Sequence, residues 1–397
     1  MPYATVLAED PPVQKPRIAA IVTEYRPISH ADLIVGRFLQ GHSLATSETY
    51  PARTQIVSMY LDQFPPNDLI RAMAEACGVK LTPTIHEALT LGTDRLEVDG
   101  VLIIGEHGAY PLNTKGQHMY PQRKFYEEVV ETFEATKSVA PVFNDKHLGF
   151  AWDDAKWMYD KSRQLNFPLM AGSSLPTTWR KPELELSLGC ELEECLAIGY
   201  GGTETYAFHA LETLQCMTER RKGGETGVSA VTCLNAANLW KAANQGRWSR
   251  ALLDAVTTCV EKKKPGTPEE HCENPELFLI EYTDGLKSSV IMSNGYSQAF
   301  GFAGRFKDNP DPVASHFWLQ EPSFGHFAWL THNVESMFLT GKETYPPERT
   351  LLTTGILDAV MTSRVENYRR IETPWLSNIK YAVNGETGRR AFLCENK

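Results

Sequence analysis

Apolar runs alternate with segments of helical spacing along the first half of the chain. Five runs predict buried strands, at residues 18–22, 56–61, 98–104, 139–143 and 169–174. The first helix is predicted to begin at Ser29, with Asp32 three residues later in a capping-box pattern, and to end at Gly41. Strands that alternate with helices pair in parallel through right-handed crossovers. The sequence therefore predicts an α/β fold with a doubly wound, Rossmann-like parallel sheet.

The pattern changes from Leu184 onward to longer strands with helices between some of them. Strands are predicted at residues 191–200, 228–234, 278–282, 290–292 and 299–306, and helices at 206–221, 249–260, 329–339 and 348–365. The dipeptide Asp284-Gly285 separates two of these strands and indicates a hairpin. This half therefore predicts an α+β domain with an open, mostly antiparallel sheet.

These patterns divide the chain into three parts. Residues 1–16 are expected to form a loose N-terminal arm, residues 17–175 the Rossmann-like domain, and residues 176–397 the domain for substrate binding and oligomerisation. The predicted terminal helix, residues 348–365, is expected to pack back on the first domain. Because an open sheet needs a cover over its second face, we expect a homodimer or homotetramer.

Charge and cysteine content narrow the class of partner and the compartment. The 397 residues carry a net charge of −10 without any long charge run, so no nucleic-acid or membrane role is expected, and a small polar ligand fits better. No apolar segment approaches membrane-spanning length. The eight cysteines form no C-x-x-C pair and are expected to be reduced thiols, which favours a cytoplasmic location.

Polar side chains follow the predicted strands of the first half at three points. Because the carboxyl ends of strands line the ligand crevice of open α/β sheets, these side chains are candidates for chemistry. They are Asp62 after the predicted strand at residues 56–61, Glu106 and His107 after the strand at 98–104, and Asn144, Asp145, Lys146 and His147 after the strand at 139–143.

Two motifs resemble the Gfo/Idh/MocA-like oxidoreductases. Residues 142–148, VFNDKHL, are similar to that family's strand-end motif, with Asp145 in place of its glutamate and Lys146 at its substrate- and nicotinamide-contacting lysine. Residues 201–209 resemble the glycine-rich entry to the helix with the catalytic histidine, which falls on His209, and Glu204 lies one position from the family's acid. The resemblance implies a Rossmann domain, a second domain with an open sheet, and catalytic roles for Lys146, His209, Asp145 and Glu204.

The first strand–helix turn departs from that family. Residues 23–30 contain no glycine, whereas a dinucleotide fingerprint needs glycines so that backbone amides reach the pyrophosphate. Glu24 brings negative charge there, which Arg26 could partly offset. Asp62 stands where Rossmann proteins place an acid on the adenosine ribose, and Glu106 with His107 could form a phosphate-side loop. These residues predict that the protein binds NAD weakly and binds NADP more weakly still, because the carboxylate of Asp62 would repel a 2′-phosphate.

Several candidates have a second interpretation. Lys146 is either a catalytic group or a surface lysine at a solvent-lined strand end, and His209 is either catalytic or a structural helix histidine. Trp179 and Arg180 either stack on and clamp a substrate or pack, and Asn144 either contacts the substrate or fixes the corner. Imidazole and carboxylate groups also suit a divalent metal, with His107, His147, His209 and Glu204 as its ligands.

Two functions follow from these residues, with a degenerate, non-catalytic binding protein as a weaker third. The first is an oxidoreductase that acts on a carbohydrate or polyol-like substrate with a nicotinamide cofactor. The second is a non-redox hydrolase, lyase or isomerase that uses the same crevice with a metal or with acid and base residues alone.

Overall fold

A computed structural model describes residues 14–43, 49–321 and 324–385. Most of the predicted N-terminal arm and Cys394 lie outside these ranges. The elements of the first half are β1 (Arg17–Val22), α1 (His30–Gln40), β2 (His42–Ser43), β3 (Thr49–Tyr50), β4 (Gln55–Leu61), α2 (Ile70–Cys77), β5 (Lys80–Thr82), α3 (Ile85–Thr90), β6 (Gly100–Ile104), α4 (Gln122–Thr136), β7 (Val142–Asp145), α5 (Trp152–Leu165) and β8 (Leu169–Gly172).

Six of these strands form a parallel sheet in the order β5-β4-β1-β6-β7-β8. The predicted doubly wound sheet is confirmed. Its central strand β1 is apolar because it is buried on both faces, with α1 packed on one side and α3 and α4 on the other. The hydroxyl of Ser29 accepts the backbone N–H of Asp32, as the capping pattern predicted. The sheet therefore presents the carboxyl ends of β1, β6 and β7 side by side.

The second half contains a short 3₁₀ helix (Leu175–Thr177) and further strands and helices. They are β9 (Trp179–Lys181), β10 (Leu192–Gly199), α6 (Thr203–Thr218), β11 (Val228–Leu234), α7 (Ala236–Asn244), α8 (Arg250–Cys259), α9 (Pro268–His271), β12 (Glu276–Tyr282), β13 (Lys287–Met292), β14 (Phe300–Phe306), β15 (Asn309–Trp318), α10 (His326–Thr340), α11 (Pro347–Val365) and β16 (Ile371–Glu372).

These strands form an eight-stranded sheet in the order β16-β11-β12-β13-β10-β14-β15-β9. Of its neighbouring pairs, β10 and β13 run parallel and the others antiparallel, so the predicted mostly antiparallel sheet is confirmed. The hairpin predicted at Asp284-Gly285 joins β12 to β13, and Gly285 takes the positive φ of 86° that the turn requires.

Helices of the same chain cover both faces of this sheet. Successive residues of a strand point to opposite faces. Along β10, Ala197 packs in the cluster with α6, whereas Leu196 and Ile198 pack in the cluster that contains Leu252 and Val256 of α8. The face that we expected another subunit to cover therefore carries α8, and the homodimer or homotetramer stays a prediction.

Helix α11 connects the two halves. The hydroxyl of Thr350 donates to the carbonyl of Ala171 at the end of β8, at 2.9 Å. The backbone N–H of Leu148 donates to the hydroxyl of Thr354, at 3.2 Å. Helix α11 thus contacts the parallel sheet as well as α6, while the predicted domain boundary at residue 175 stays a prediction.

Two further observations concern cysteines and membranes. The seven cysteines within the described ranges are free thiols. No helix in that part of the chain combines the length and the apolar character needed to cross a membrane.

Candidate functional site

Seven ionisable side chains meet at the carboxyl ends of β1, β6 and β7. Helix α1 contributes one from its first turn, the loops after β6 and β7 contribute most of the others, and α6 brings the last from the second half. We call this group the strand-end cluster, and its members are His30, Glu106, His107, Asp145, Lys146, His147 and His209.

The corner after β7 gives the cluster its fixed geometry. The side-chain amide of Asn144 donates to the carbonyls of Asp145 and His147, at 3.1 and 2.9 Å. Lys146 adopts a left-handed φ of 57°, and its backbone N–H donates to the carbonyl of Gly172. These bonds turn the chain sharply at the strand end, so Asn144 has the contacts expected of a residue that fixes the corner.

Lys146 is buried rather than solvent-lined, which corrects the expectation from the sequence. The residue is 4 % exposed, and its ammonium lies 3.0 Å from a carboxylate oxygen of Glu106, which is 3 % exposed. Burial alone would lower the pKa of Lys146, but the carboxylates of Glu106 and Asp145 outweigh it and raise that pKa above its ordinary value. Lys146 is therefore a buried cation held by Glu106.

Asp145 and His30 form a second pair beside Lys146. A carboxylate oxygen of Asp145 lies 2.6 Å from Nδ1 of His30. Burial raises the pKa of Asp145 to about 7, against the opposing effect of the Lys146 and His147 charges. Burial and the charge of Lys146 lower the pKa of His30 to about 3, so His30 is neutral. A carboxylate on Nδ1 of a neutral histidine is the arrangement that orients a histidine base.

His30 was missed from the sequence because the first turn was considered only as a binding site for a dinucleotide. It is the first residue of α1, directly after the N-cap Ser29. A titratable side chain at that position faces the ends of the neighbouring strands, and this position was the available signal. Its side chain is 14 % exposed, whereas that of Asp145 is 1 % exposed, so His30 is the more accessible member of the pair.

His209 joins the cluster from α6, on the second half of the chain. Its ring centroid lies 6.5 Å from that of His30, and its Nδ1 lies 2.6 Å from the hydroxyl of Ser173, which follows β8. Burial lowers the pKa of His209 well below its ordinary value, so the ring is neutral. Ser173 was also missed, although it stands at a strand end like the other candidates.

His107 and His147 complete the cluster. The His107 ring centroid lies 5.4 Å from that of His30, and burial lowers the pKa of His107 to about 3. Nε2 of His147 lies 4.0 Å from the second carboxylate oxygen of Glu106. Glu106 thus lies between Lys146 and His147 and is not a free phosphate-side group.

The predicted metal ligands do not form a metal centre. Within the described ranges, no group of three or more histidine, cysteine, aspartate or glutamate side chains has the spacing to hold a metal ion. The carboxylate of Glu204 instead accepts the backbone N–H of His118 at 3.1 Å and lies 2.9 Å from Nδ1 of the same histidine. Among the other predicted ligands, His209 is held by Ser173, and His147 lies beside Glu106.

Trp179 and Arg180 lie in β9 of the second sheet. Arg180 is 3 % exposed, and its guanidinium lies 4.6 Å from the ring centroid of Phe317 and 3.4 Å from a carboxylate oxygen of Glu185. Trp179 packs edge-on against Trp318. These contacts correspond to the packing interpretation rather than to a substrate clamp.

The predicted dinucleotide residues are bonded to other protein groups. Asp62 accepts hydrogen bonds from the hydroxyls of Tyr60 and Tyr110, at 3.1 and 2.6 Å. Arg26 pairs with Glu24 at 2.5 Å. Since a ribose would need the carboxylate of Asp62 and a pyrophosphate would need glycine-bounded amides, these residues do not fit an ordinary NAD(P) dinucleotide.

Comparison with solved structures returns dehydrogenases. GenD2 from gentamicin A biosynthesis, in complex with NAD, is 13% identical and aligns over 93% of this chain and 99% of its own, with a TM-score of 0.56. The scyllo-inositol dehydrogenase from Lactobacillus casei with bound NAD(H) and scyllo-inositol is 9% identical over 90% and 99%, with a TM-score of 0.55. A myo-inositol dehydrogenase from Corynebacterium glutamicum is 11% identical over 90% and 99%, with a TM-score of 0.53. At such identities the likeness establishes a shared fold.

Neither a protein-family model nor a curated protein sequence matches this chain.

Proposed function

We propose that this chain, which has the fold of the Gfo/Idh/MocA-type dehydrogenases, is an enzyme that moves a proton to or from a hydroxyl-bearing small molecule at the strand-end cluster. The observation that carries the proposal is the pair of Asp145 and His30, at 2.6 Å, next to the buried cation Lys146. A pKa of about 7 makes the ionisation of Asp145 responsive near neutral pH, where acid–base catalysis is most efficient.

Each residue of this pair has a separate role in the proposal. The base is the pair: Asp145 in its ionised form accepts the Nδ1–H of His30, leaves Nε2 free to receive a substrate proton, and stabilises the imidazolium that then forms. Lys146 binds the substrate oxygen through a charge-assisted hydrogen bond and stabilises negative charge on it. His209, fixed by Ser173, lies across the cluster and contributes a second hydrogen-bonding group.

The proposed substrate class is a carbohydrate or another polyol-like molecule. A buried cluster of imidazole, carboxylate and ammonium groups offers donors and acceptors in the number that a polyhydroxylated ligand requires. The solved dehydrogenase from Lactobacillus casei with this fold holds scyllo-inositol. Inositols, alditols, aldoses and their acids are therefore the first compounds to test.

Two reaction types are compatible with this proton transfer. A nicotinamide-dependent oxidation is favoured by the shared fold, since the solved relatives include NAD-bound dehydrogenases. A reaction without redox change is favoured by the glycine-free first turn and by the engaged carboxylate of Asp62. No metal is part of the proposal.

The experiment is a turnover screen of the purified full chain against pooled compounds of these classes, with and without nicotinamide nucleotides. Products are detected by mass spectrometry, and the Asp145→Asn variant is the matched control. We expect turnover that the wild type performs and the variant lacks. Equal conversion by both proteins would contradict the proposed site.

Replacing Ser173 with alanine is expected to lower turnover about 3- to 10-fold, because His209 loses the hydrogen bond to its Nδ1 and the energy of one such bond is lost in the transition state. The Ser173→Thr variant keeps the hydroxyl and is the control. Ring-nitrogen NMR of His209 reports the same change independently of activity. An unchanged ring signal in the alanine variant would show that Ser173 does not position His209.

A further inference from the structure

We infer that the loop between β6 and α4, residues 105–121, closes the groove in which this fold holds a dinucleotide, and that the reaction at the strand-end cluster is therefore redox-neutral. The claim that the reaction is redox-neutral rests on the proposed function. The claim that the groove is closed concerns nucleotide binding alone. We call residues 105–121 the β6–α4 loop.

One end of the β6–α4 loop is bonded to the loop after β4. The hydroxyl of Tyr110 donates to the carboxylate of Asp62 at 2.6 Å, and the backbone N–H of Ala109 donates to the side-chain oxygen of Gln63 at 2.9 Å. In a Rossmann fold the adenosine ribose lies at the residue that Asp62 occupies. The protein itself therefore satisfies the carboxylate that the ribose would use.

The other end of the β6–α4 loop is bonded to the second half of the chain. Nδ1 of His118 lies 2.9 Å from Glu204 at the start of α6. The ammonium of Lys115 lies 2.6 Å from Asp358 on α11. The first end of the β6–α4 loop is bonded to the residues that follow β4. The loop therefore extends from the parallel sheet to α6 and α11, and it lies across the crevice between the sheet and these helices.

The pyrophosphate end of the groove is occupied by internal hydrogen bonds. Ser29 caps α1, and the carboxylate of Asp32 accepts the backbone N–H of Ile28 at 2.9 Å. The hydroxyl of Thr23 donates to the carbonyl of Glu106 at 2.5 Å, which joins the first turn to the β6–α4 loop. A phosphate at this helix start would meet the Asp32 carboxylate instead of free amides.

A reaction without a dinucleotide keeps all electrons within the substrate. A substrate C–H bond next to a carbonyl or carboxylate group breaks, its proton passes to His30, and its electron pair forms a carbon–carbon double bond. The neighbouring C–O bond breaks, and the departing hydroxyl takes a proton from Lys146 and leaves as water. Return of the first proton from His30 to Lys146 through solvent restores the site, so no oxidant or reductant is consumed.

The binding half is tested on the purified full chain by thermal shift and calorimetry with saturating NAD⁺, NADH, NADP⁺ and NADPH. We expect no nucleotide to shift the melting temperature and no heat of binding. The sequence alone predicted a weak stabilisation by NAD(H), so the two expectations differ. A saturable shift that is lost in Asp62→Ala but kept in the surface control Asp94→Ala would overturn the closed groove.

The reaction half is tested on the first compound that the wild type converts and Asp145→Asn does not. We expect a product that differs from the substrate by loss of water, formed without added nucleotide. A product that has lost two hydrogens, with reduction of an added nucleotide, would overturn the inference and leave the proposed site intact. Equal conversion by the variant would instead contradict the proposed site, so the two failures are distinguishable.

Discussion

The Lys146→Met variant is expected to lose about 3–5 kcal/mol of unfolding free energy and roughly 30- to 1,000-fold in turnover. The stability loss follows from burial, because methionine leaves the carboxylate of Glu106 inside the protein without its cation. The turnover loss follows from removal of a charged donor to the substrate oxygen, which costs about 2–4 kcal/mol in the transition state. Denaturant unfolding and steady-state kinetics measure the two effects separately.

A double variant separates stability from catalysis. Glu106→Gln combined with Lys146→Met removes both buried charges and keeps two side chains of similar size. We expect it to recover most of the lost stability, because the Glu106 carboxylate is removed together with its cation, and to stay as inactive as the single variant. Recovery of turnover together with stability would show that Lys146 has only a structural role.

The Asp145→Asn variant is expected to lose turnover by about 100- to 10,000-fold, the range for removal of acid–base catalysis. Asparagine is uncharged and can donate its amide N–H to Nδ1 of His30, so the ring is no longer held in the tautomer that leaves Nε2 free. Steady-state kinetics on the first substrate found by the screen measures this loss.

The same variant is expected to be more stable than the wild type above neutral pH. The pKa of Asp145 is raised from 3.8 to about 7 in the fold, so the stability that its neutral form contributes is complete below pH 3.8 and is lost as pH rises to about 7. Asparagine does not ionise, so the variant keeps its stability as pH rises. We expect its unfolding free energy to exceed that of the wild type by about 2–4 kcal/mol, after allowance for the weakened hydrogen bond to His30, and this difference to develop across that interval. Equal stability of both proteins at every pH would contradict the burial of an ionised Asp145.

Local patterns were enough to predict most of the architecture. Strands such as β4 and β11 and the cap at Ser29 follow from short-range chemistry, namely apolar runs and a side-chain hydrogen bond to the helix start. The fold that the resemblance to the Gfo/Idh/MocA-like oxidoreductases implied is confirmed by the solved dehydrogenases.

The elements that were missed lack that local pattern. Strand β15 begins with Asn309 and three more polar or proline residues and is exposed there, so it has no apolar run at its start. Its strand character comes from pairing with β14 and β9. Strands β9 and β16 are three and two residues long and depend on their neighbours in the same way.

The charge pairs of the candidate site could not be predicted from the sequence for a related reason. Glu106 lies 40 positions from Lys146, and His30 lies 115 positions from Asp145. Strand-end location indicated that Asp145 and Lys146 face the crevice, but not that each has a buried partner. Those partners, Glu106 after β6 and His30 at the start of α1, lie far along the chain and have no signal near the motif itself.

The central claim is that Asp145, His30 and Lys146 form the catalytic centre. Its most direct test is the pH dependence of kcat/KM for the first converted substrate, in the wild type and in Asp145→Asn. Because the active form has an ionised Asp145, the wild-type value should rise as pH increases through about 7, and the residual activity of the variant should show no such rise. A variant that keeps the wild-type rate and the same rise would place the chemistry elsewhere in the protein.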